Sequence, residues 1–400
     1  MSLHSFDVAV VGAGPFSCFS ALLLAQNGIK VALVYPELTE PMDTFVTSLS
    51  ACWPGLNDPP TRAQVAHGHE VAHYLYNFCS KGSVFFKDFI LPIIYDKENW
   101  VQSDCLRIGI KDFEIEELNA AYKMGFGLKK TPEKNFYLEE FFSYLCVDRK
   151  IFKDKIIQAL KKNNVTLVAS ALASLTETQS KCILKLKNDT TLVSEIVILG
   201  NSLNISKILL KFKNILIPMS DCLFEYECHA ENNFKFFPFS FRASNGHICA
   251  TIQQSNDKIQ IKISGPRFLL PGVGAGLDLT NVKIESKIFN SIEKFHKDII
   301  FDTISKKLGL SSTTEFFSKF PVSLISKKIL VDCYPCDELP IVGEYGKLGK
   351  ILGTTGWLGT GFAGGAWAAK IMRDLVLNEK SPDLHERLHP RRFFSAFTEH

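Results

Sequence analysis

Asp7-Val8-Ala9-Val10-Val11-Gly12-Ala13-Gly14-Pro15-Phe16-Ser17 is the stretch whose reading decides the fold. The apolar run reads as a buried strand, the two glycines as a tight turn, and Phe16–Gln26 as a helix that stops at Asn27-Gly28. A second apolar strand, Lys30–Tyr35, follows at once, so residues 1–36 read as a βαβ unit. Such a turn lets backbone approach a pyrophosphate. The helix N-terminus then stabilises the anion through its free N–H groups and its dipole. Ser17 stands where the G-x-G-x-x-G pattern has its third glycine.

A second stretch works with the first. Gly353-Thr354-Thr355-Gly356-Trp357-Leu358-Gly359-Thr360-Gly361-Phe362-Ala363-Gly364-Gly365 is dense in glycine and runs straight into the helical pattern Ala366–Met372. It predicts another helix start built for close backbone approach to a ligand. Two such sites far apart in sequence suit a long cofactor such as FAD, whereas NAD alone needs only the first.

The chain has 400 residues, too many for one ordinary core, and its hydrophobic content of 46% indicates a well-buried protein. A net charge of +3 argues neither for nor against nucleic acid or an anionic membrane, and no nucleic-acid partner is expected. Eleven cysteines lie scattered without a C-x-x-C pair, and Met1–His4 leads directly into the first strand. Reduced thiols and a cytoplasmic location are therefore expected. No apolar run approaches the ~20 residues of a membrane span. The 32 phenylalanines are read as genome composition.

Further along, residues 37–60 read as loop, 61–80 as helix, and 84–130 as strand-rich and irregular. Leu145–Asn163 reads as a helix followed by the strand Val165–Ser170. Lys181–Leu186 and Thr191–Leu199 read as strands, 222–264 as antiparallel strands, and 281–310 as mostly helical.

The order of these landmarks resembles the D-amino-acid oxidase / glycine oxidase / sarcosine oxidase family of flavoproteins. The resemblance is carried by the first glycine turn, by Tyr144–Lys150 with Val165-Thr166-Leu167-Val168, by Ser194–Ser202, and by Asp337-Glu338-Leu339-Pro340-Ile341-Val342-Gly343 with the glycine loop. The tail His389-Pro390-Arg391-Arg392-Phe393 is similar too. The resemblance implies an α/β fold: a Rossmann-like FAD-binding domain with an inserted antiparallel-sheet substrate domain. Residues 1–80, 140–220 and 330–400 would form the former, and 81–139 and 221–329 the latter. It implies non-covalent FAD held by Gly12, Gly14, Pro15, Ser17, Tyr35, Glu37, Val168, Gly200, Gly356, Gly359, Gly361 and Phe362. Cys333 and Cys336 miss the spacing of relatives that attach flavin covalently.

Departures from the family narrow the chemistry. Its usual ribose-binding Glu is replaced by Tyr35, with Glu37 two residues on, so either Glu37 substitutes or backbone and Tyr35 hold the ribose. The family's substrate-carboxylate arginine, five residues before the Asp of the Pro-Asp landmark, is here Asp332. An acid cannot replace a bidentate guanidinium. Lys327, Lys328, Arg62 or Arg267 could supply positive charge instead. Lys262, in Ile261-Lys262-Ile263-Ser264-Gly265, matches a strand lysine that assists oxygen in sarcosine-oxidase-like members; otherwise it is an ordinary lysine on an alternating strand. Trp53 either walls the pocket or packs in the core.

His69-Glu70-Val71-Ala72-His73 matches H-E-x-x-H, a zinc-hydrolase pattern taken alone. In a chain otherwise accounted for by FAD it is expected to lie on a scaffold helix, with no metal. The resemblance thus implies an enzyme that oxidises a C–N bond of a small amine or amino-acid-like substrate, with oxygen or another electron acceptor. Lys262, Asp332 and Arg62 are its candidate active-site side chains. A larger substrate (a modified RNA base or a biosynthetic intermediate) or a non-catalytic FAD-binding partner protein are the alternatives.

Overall fold

The computed structural model describes residues 3–230, 234–255, 257–270, 286–379 and 384–394. Leu3–Val11 is the central strand of an eight-stranded sheet. It lies parallel to Val31–Tyr35 on one side and to Thr191–Leu199 on the other, with Val8 opposite Val31 and Ile196. Thr166–Ala169 extends the sheet beyond Val31–Tyr35, and Ile351–Thr355 extends it beyond Thr191–Leu199, both parallel. Ile341–Glu344 adds an antiparallel edge. Cys182–Leu186 and Leu172–Glu177 form an antiparallel flap on the first half of Thr191–Leu199.

The central parallel strands are buried through apolar runs, Val8–Val11, Val31–Val34 and Val197–Leu199, as strands covered on both faces require. Helix Pro15–Gln26 packs between this sheet and helix Gly361–Val376, which in turn packs on His69–Phe85, and Phe16 through Leu24 are all buried.

The second sheet has ten strands. Its main path runs Val322–Pro335, Leu216–His229, Lys258–Ser264, Ile248–Ser255, Phe239–Ala243, Trp100–Ile108, Phe136–Glu139, Leu128–Lys130. Neighbours on this path are antiparallel except Phe239–Ala243 and Trp100–Ile108, which run parallel. One face is apolar: Ile259, Ile261 and Ile263, with Phe224, Phe241 and Ile252, pack on helices Ser286–Phe295, Phe301–Lys307 and Thr313–Lys319. Strand alternation turns Gln260, Lys262 and Ser264 to the opposite face.

Two sequence expectations change. Residues 84–130 carry more helix than strand: helix His69–Phe85 runs on through a wide turn at Phe86–Ile90 to Leu91–Ile94, and Asp112–Lys123 is a helix. That last helix starts because the Glu114 carboxylate accepts the Ile110 N–H at 2.7 Å and the Lys111 N–H at 3.3 Å. Tyr144-Leu145-Cys146 is strand, and the helix begins only at Arg149. There the Asp148 side chain accepts the N–H groups of Lys150 and Ile151 at 2.8 and 3.0 Å. The helical expectation for 281–310 holds from Ser286 to Lys307, while 281–285 lie outside the described residues.

The helices His69–Phe85 and Gly361–Val376 cross at Gly82, where a Cβ would collide with the Ala363 carbonyl. Gly82→Ala gains helix propensity of about 1 kcal/mol but forces the backbones apart, at a cost of roughly 1–3 kcal/mol or more. Urea denaturation should therefore show net destabilisation, and a more stable variant would contradict this crossing.

Candidate cofactor and substrate site

The carboxyl ends of the parallel strands gather the glycine turns at one edge. Gly12 has φ +138°, a conformation that favours glycine, and a Cβ there would sit 2.8 Å from the Gly200 carbonyl. The Gly12 N–H donates to Val34 O and the Gly200 N–H to Val11 O, both at 2.8 Å. The turn is thus laced to both neighbouring strands. Ser17 is fully buried and its Oγ lies 3.5 Å from Gly200 O, in the space a larger residue at Gly12 or Gly200 would claim. At Gly14, by contrast, a Cβ would meet only Thr44 Oγ1, at 3.5 Å. That position borders open space rather than packed backbone.

Two helices begin here, and neither has a side-chain cap. Gly14 precedes Pro15–Gln26, and Thr360 precedes Gly361–Val376 with its hydroxyl turned back to Trp357 O. Their starts adjoin, because a Cβ on Gly365 would be 3.2 Å from Phe16 Cβ. Two sets of free N–H groups side by side form a strong anion cradle. Asn201 Oδ1, Thr354 Oγ1 and Trp357 Nε1 belong to the same chain segments and are buried without a hydrogen-bond partner. These features fit a dinucleotide cofactor.

The polar face of the ten-stranded sheet packs against this region. Pairing register aligns Ser326, Glu225, Lys262, Thr251 and Ser240 in one row, and Lys328, Leu223, Ser264, Cys249, Arg242 and Arg107 in the next. Gln253 Nε2 donates to Cys146 O at 3.0 Å and Arg242 Nη2 to Pro54 O at 2.7 Å, joining the face to the segments beneath. Lys262 is only 4% exposed. Burial, reinforced by Arg149 and Lys328 and opposed by Glu225, lowers its pKa to about 8.

At one end of the face, Asp332 lies beside Gly359, whose N–H it accepts together with that of Cys333. Burial raises the carboxyl pKa of both Asp332 and neighbouring Asp221, with Arg267 pulling the other way. Arg267 donates to Tyr334 OH at 2.7 Å and lies 3.7 Å from Asp221, which accepts Ser264 Oγ at 2.9 Å.

At the other end, Arg107 and Arg242 stand directly opposite each other in register, both buried. Glu139 joins them, at 2.5 Å from Arg107 and 3.2 Å from Arg242, and also accepts the Tyr76 hydroxyl. The two arginines donate to the carbonyls of Pro54, Leu56, Asn57 and Asp58. Asn57 Nδ2 in turn donates to Leu358 O at 2.8 Å. One network therefore fixes the Trp53–Asp58 loop against the second glycine loop. Trp53 is buried under the Arg242 guanidinium, 4.7 Å from ring centre.

The remaining candidates are placed as follows. Val168 pairs with Val34 and Tyr35 with Ala169, at the edge where Glu37 is exposed in the following loop. The Phe362 ring packs with Phe19, Phe45, Phe86 and Trp100, which leaves its backbone rather than its ring for a ligand. Gly356 and Gly359 have φ of +77° and +81°, and Gly361 opens the helix. Arg62 is exposed and lies 3.5 Å from Glu117. His69 and His73 share a helix face with ring centres 4.3 Å apart, but His73 stacks on Phe126 and Glu70 points outward near His385. Among the described residues no three His, Cys, Asp or Glu side chains are grouped to hold a metal ion. Among the described residues no helix is long and apolar enough to cross a membrane.

Sequence reading missed Arg107, Glu139, Arg242, Asn57, Arg149 and Glu225. The available signal was an arginine in each of two apolar strands, Cys105-Leu106-Arg107-Ile108 and Phe239-Ser240-Phe241-Arg242. Their partners are set by pairing that a single sequence does not reveal.

A Rossmann-like α/β domain whose sheet edge faces a second, largely antiparallel sheet is the architecture of the glycine oxidase fold, and the chain adopts it. Glycine oxidase from Geobacillus kaustophilus superposes with a TM-score of 0.70 at 12% identity, over 96% of this chain and 98% of that one. L-proline dehydrogenase from P. horikoshii gives 0.69 at 13% identity, over 99% of both chains. Iminodiacetate oxidase from Chelativorans sp. gives 0.66 at 12% identity, over 96% and 98%. No protein-family model matches the sequence, and no curated protein matches it.

Glu139→Gln leaves two buried arginines opposite each other with no charge between them, and should cost about 3–5 kcal/mol. Arg62→Ala acts at an exposed guanidinium, whose pair with Glu117 is worth under about 1 kcal/mol. Chemical denaturation of the two variants checks this ranking, and equal losses would contradict it.

Proposed function

We propose that this protein is an FAD-dependent oxidoreductase that oxidises the C–N bond of an amine or amino-acid-like substrate. The single observation that carries the reading is the pair of adjoining, uncapped helix starts at Gly14 and Thr360, at the edge covered by the polar sheet face. The likeness to oxidases and a dehydrogenase acting on amino acids and iminodiacetate supports the reaction class.

Bound non-covalently, FAD would supply the two-electron acceptor for hydride from the carbon bearing nitrogen. The N–H groups at the start of Pro15–Gln26 would hold its pyrophosphate. Tyr35 or Glu37 would hold the ribose and Val168 would border the adenine. Gly200, Gly356, Gly359 and Gly361 keep backbone close on the flavin side. The Arg107–Glu139–Arg242 network would hold the Trp53–Asp58 loop rigid beside the pocket. Lys262, buried and cationic below its pKa of about 8, would stabilise negative charge developing when oxygen accepts electrons. Asp332 takes the place of a carboxylate-binding arginine, and with Asp221 it faces one guanidinium, Arg267. That balance favours a neutral amine or a cation over a carboxylate.

Anaerobic bleaching of the flavin by a panel of amines and amino acids tests the reading. Repulsion of a carboxylate near Asp332 is worth roughly 1–4 kcal/mol in a partly wet site, or about one to three decades in affinity. Decarboxylated or esterified amines should therefore reduce the flavin better than their parent amino acids, and Asp332→Arg should narrow or invert that order. Simple amino acids as the best reductants, with the order unchanged in Asp332→Arg, would remove Asp332 from the pocket. A flavin reduced by no amine would overturn the function. Lys262→Met should slow reoxidation by oxygen while leaving the bleaching rate nearly unchanged; equal slowing of both steps would contradict the role given to the lysine.

A further inference from the structure

Glu225 and Lys262 are direct cross-strand neighbours of opposite charge, yet they form no ion pair. The carboxylate is taken from elsewhere. Arg149, the first residue of helix Arg149–Lys162, reaches across and donates through both terminal nitrogens, at 3.1 and 2.9 Å, to the two oxygens of Glu225. The same guanidinium donates to Val46 O at 2.9 Å. Lys328, from the strand on the far side, donates to Glu225 Oε1 at 2.9 Å. Bidentate pairing with a guanidinium is the strong form of this contact, so Glu225 has little left for a third cation. Its pKa falls to about 2 for the same reason, against the effect of burial.

Lys262 is thereby left without a hydrogen bond or ion pair among the described residues, although it is 4% exposed. The charged and titratable groups around it come from four elements. They are Glu225 on the adjacent strand, Lys328 on the next strand, Arg149 on the helix, and the Cys146 thiol below. Burial holds that thiol neutral. Counting a protonated Lys262, three cations surround one carboxylate. An ammonium on a largely buried side chain, set among other cations without a partner, is costly unless something else compensates it.

We propose that Arg149, with Lys328, is a positioning clamp that withholds Glu225 from Lys262, so that the lysine stays unpaired and directed at the cofactor site. The inference rests on the placement of Lys262 given under the proposed function. It adds that the lysine's availability is set by a residue of another element, which also ties that helix and the Val46 carbonyl to the sheet.

Removing a clamp cation should free Glu225 to pair with Lys262 and favour its charged form. Removing the carboxylate should leave the lysine among cations only. The full-length, flavin-loaded protein labelled with 13C at lysine Cε provides the readout, the Lys262 resonance being the one missing from Lys262→Met. In the unaltered protein its midpoint is expected near pH 8. Arg149→Met and Lys328→Met should each move it upward, and Glu225→Gln downward, each by about one pH unit or more. Lys328→Met leaves the Arg149 contact between elements intact, so the test survives if Arg149→Met does not fold.

A general loosening of the structure would move every variant the same way, toward the ordinary lysine range. A midpoint above about 10 in the unaltered protein, or Glu225→Gln shifting in the same direction as Lys328→Met, would overturn the clamp. The expected order in a protein that oxidises no amine would uphold the clamp and count against the proposed function.

Discussion

The close approach of the Gly12–Gly14 turn to Gly200 governs the arrangement of the site. Gly12 and Gly200 are backbone-to-backbone neighbours with Ser17 Oγ filling the space between them, and hydrogen bonds at 2.8 Å lock the turn to both adjacent strands. This packing fixes where helix Pro15–Gln26 begins. The small residues of Gly361–Val376 then let its start approach Phe16 through Gly365. Two helix ends whose N–H groups cannot be satisfied internally meet at the carboxyl edge of the sheet, where open α/β sheets bind ligands.

The second sheet is built for two environments at once. Its isoleucines and phenylalanines on one face form a core with three helices, while the alternate residues form a polar face toward the glycine turns of the eight-stranded sheet. Polar groups buried between two layers must be paired or costly. Most are paired: Arg107 and Arg242 with Glu139, Arg149 and Lys328 with Glu225, Arg267 with Tyr334 and Asp221. The pairs also connect the two sheets' elements, so the same contacts that satisfy buried charge hold the Trp53–Asp58 loop and helix Arg149–Lys162 against the second sheet. Among the described residues Lys262 has no such partner, and Gln253 Oε1, Arg267 Nε, Asn201 Oδ1, Thr354 Oγ1 and Trp357 Nε1 are likewise left unpaired around this edge.

Much of the eight-stranded sheet and its glycine turn is legible in the sequence, because its signals are local. A strand, two glycines and a helix occupy contiguous residues, and Thr191–Leu199 was read to the residue. Residues 84–130 were misread because Phe113, Ile115 and Leu118 mix helical and alternating spacing, and the deciding contact is Glu114 closing on the N–H groups of Ile110 and Lys111. The helix at Arg149 was started too early because Tyr144-Leu145-Cys146 is apolar enough for either state and is fixed as strand by pairing with Trp100–Ser103. The buried charge networks were illegible for a different reason. Their members come from segments far apart in the chain, 188 residues for Arg242 and Pro54 and 301 for Asn57 and Leu358.

The central claim is that the adjoining helix starts form one site for a dinucleotide, with the first helix taking the pyrophosphate and the second closing on the flavin side. Calorimetric titration of flavin-free protein with FAD and with FMN tests it most directly. The account predicts one FAD per chain and binding of FMN weaker by at least about a hundredfold, since FMN lacks the adenylate half that the first turn would hold. Equal affinity for the two flavins, or saturation by neither, would contradict it.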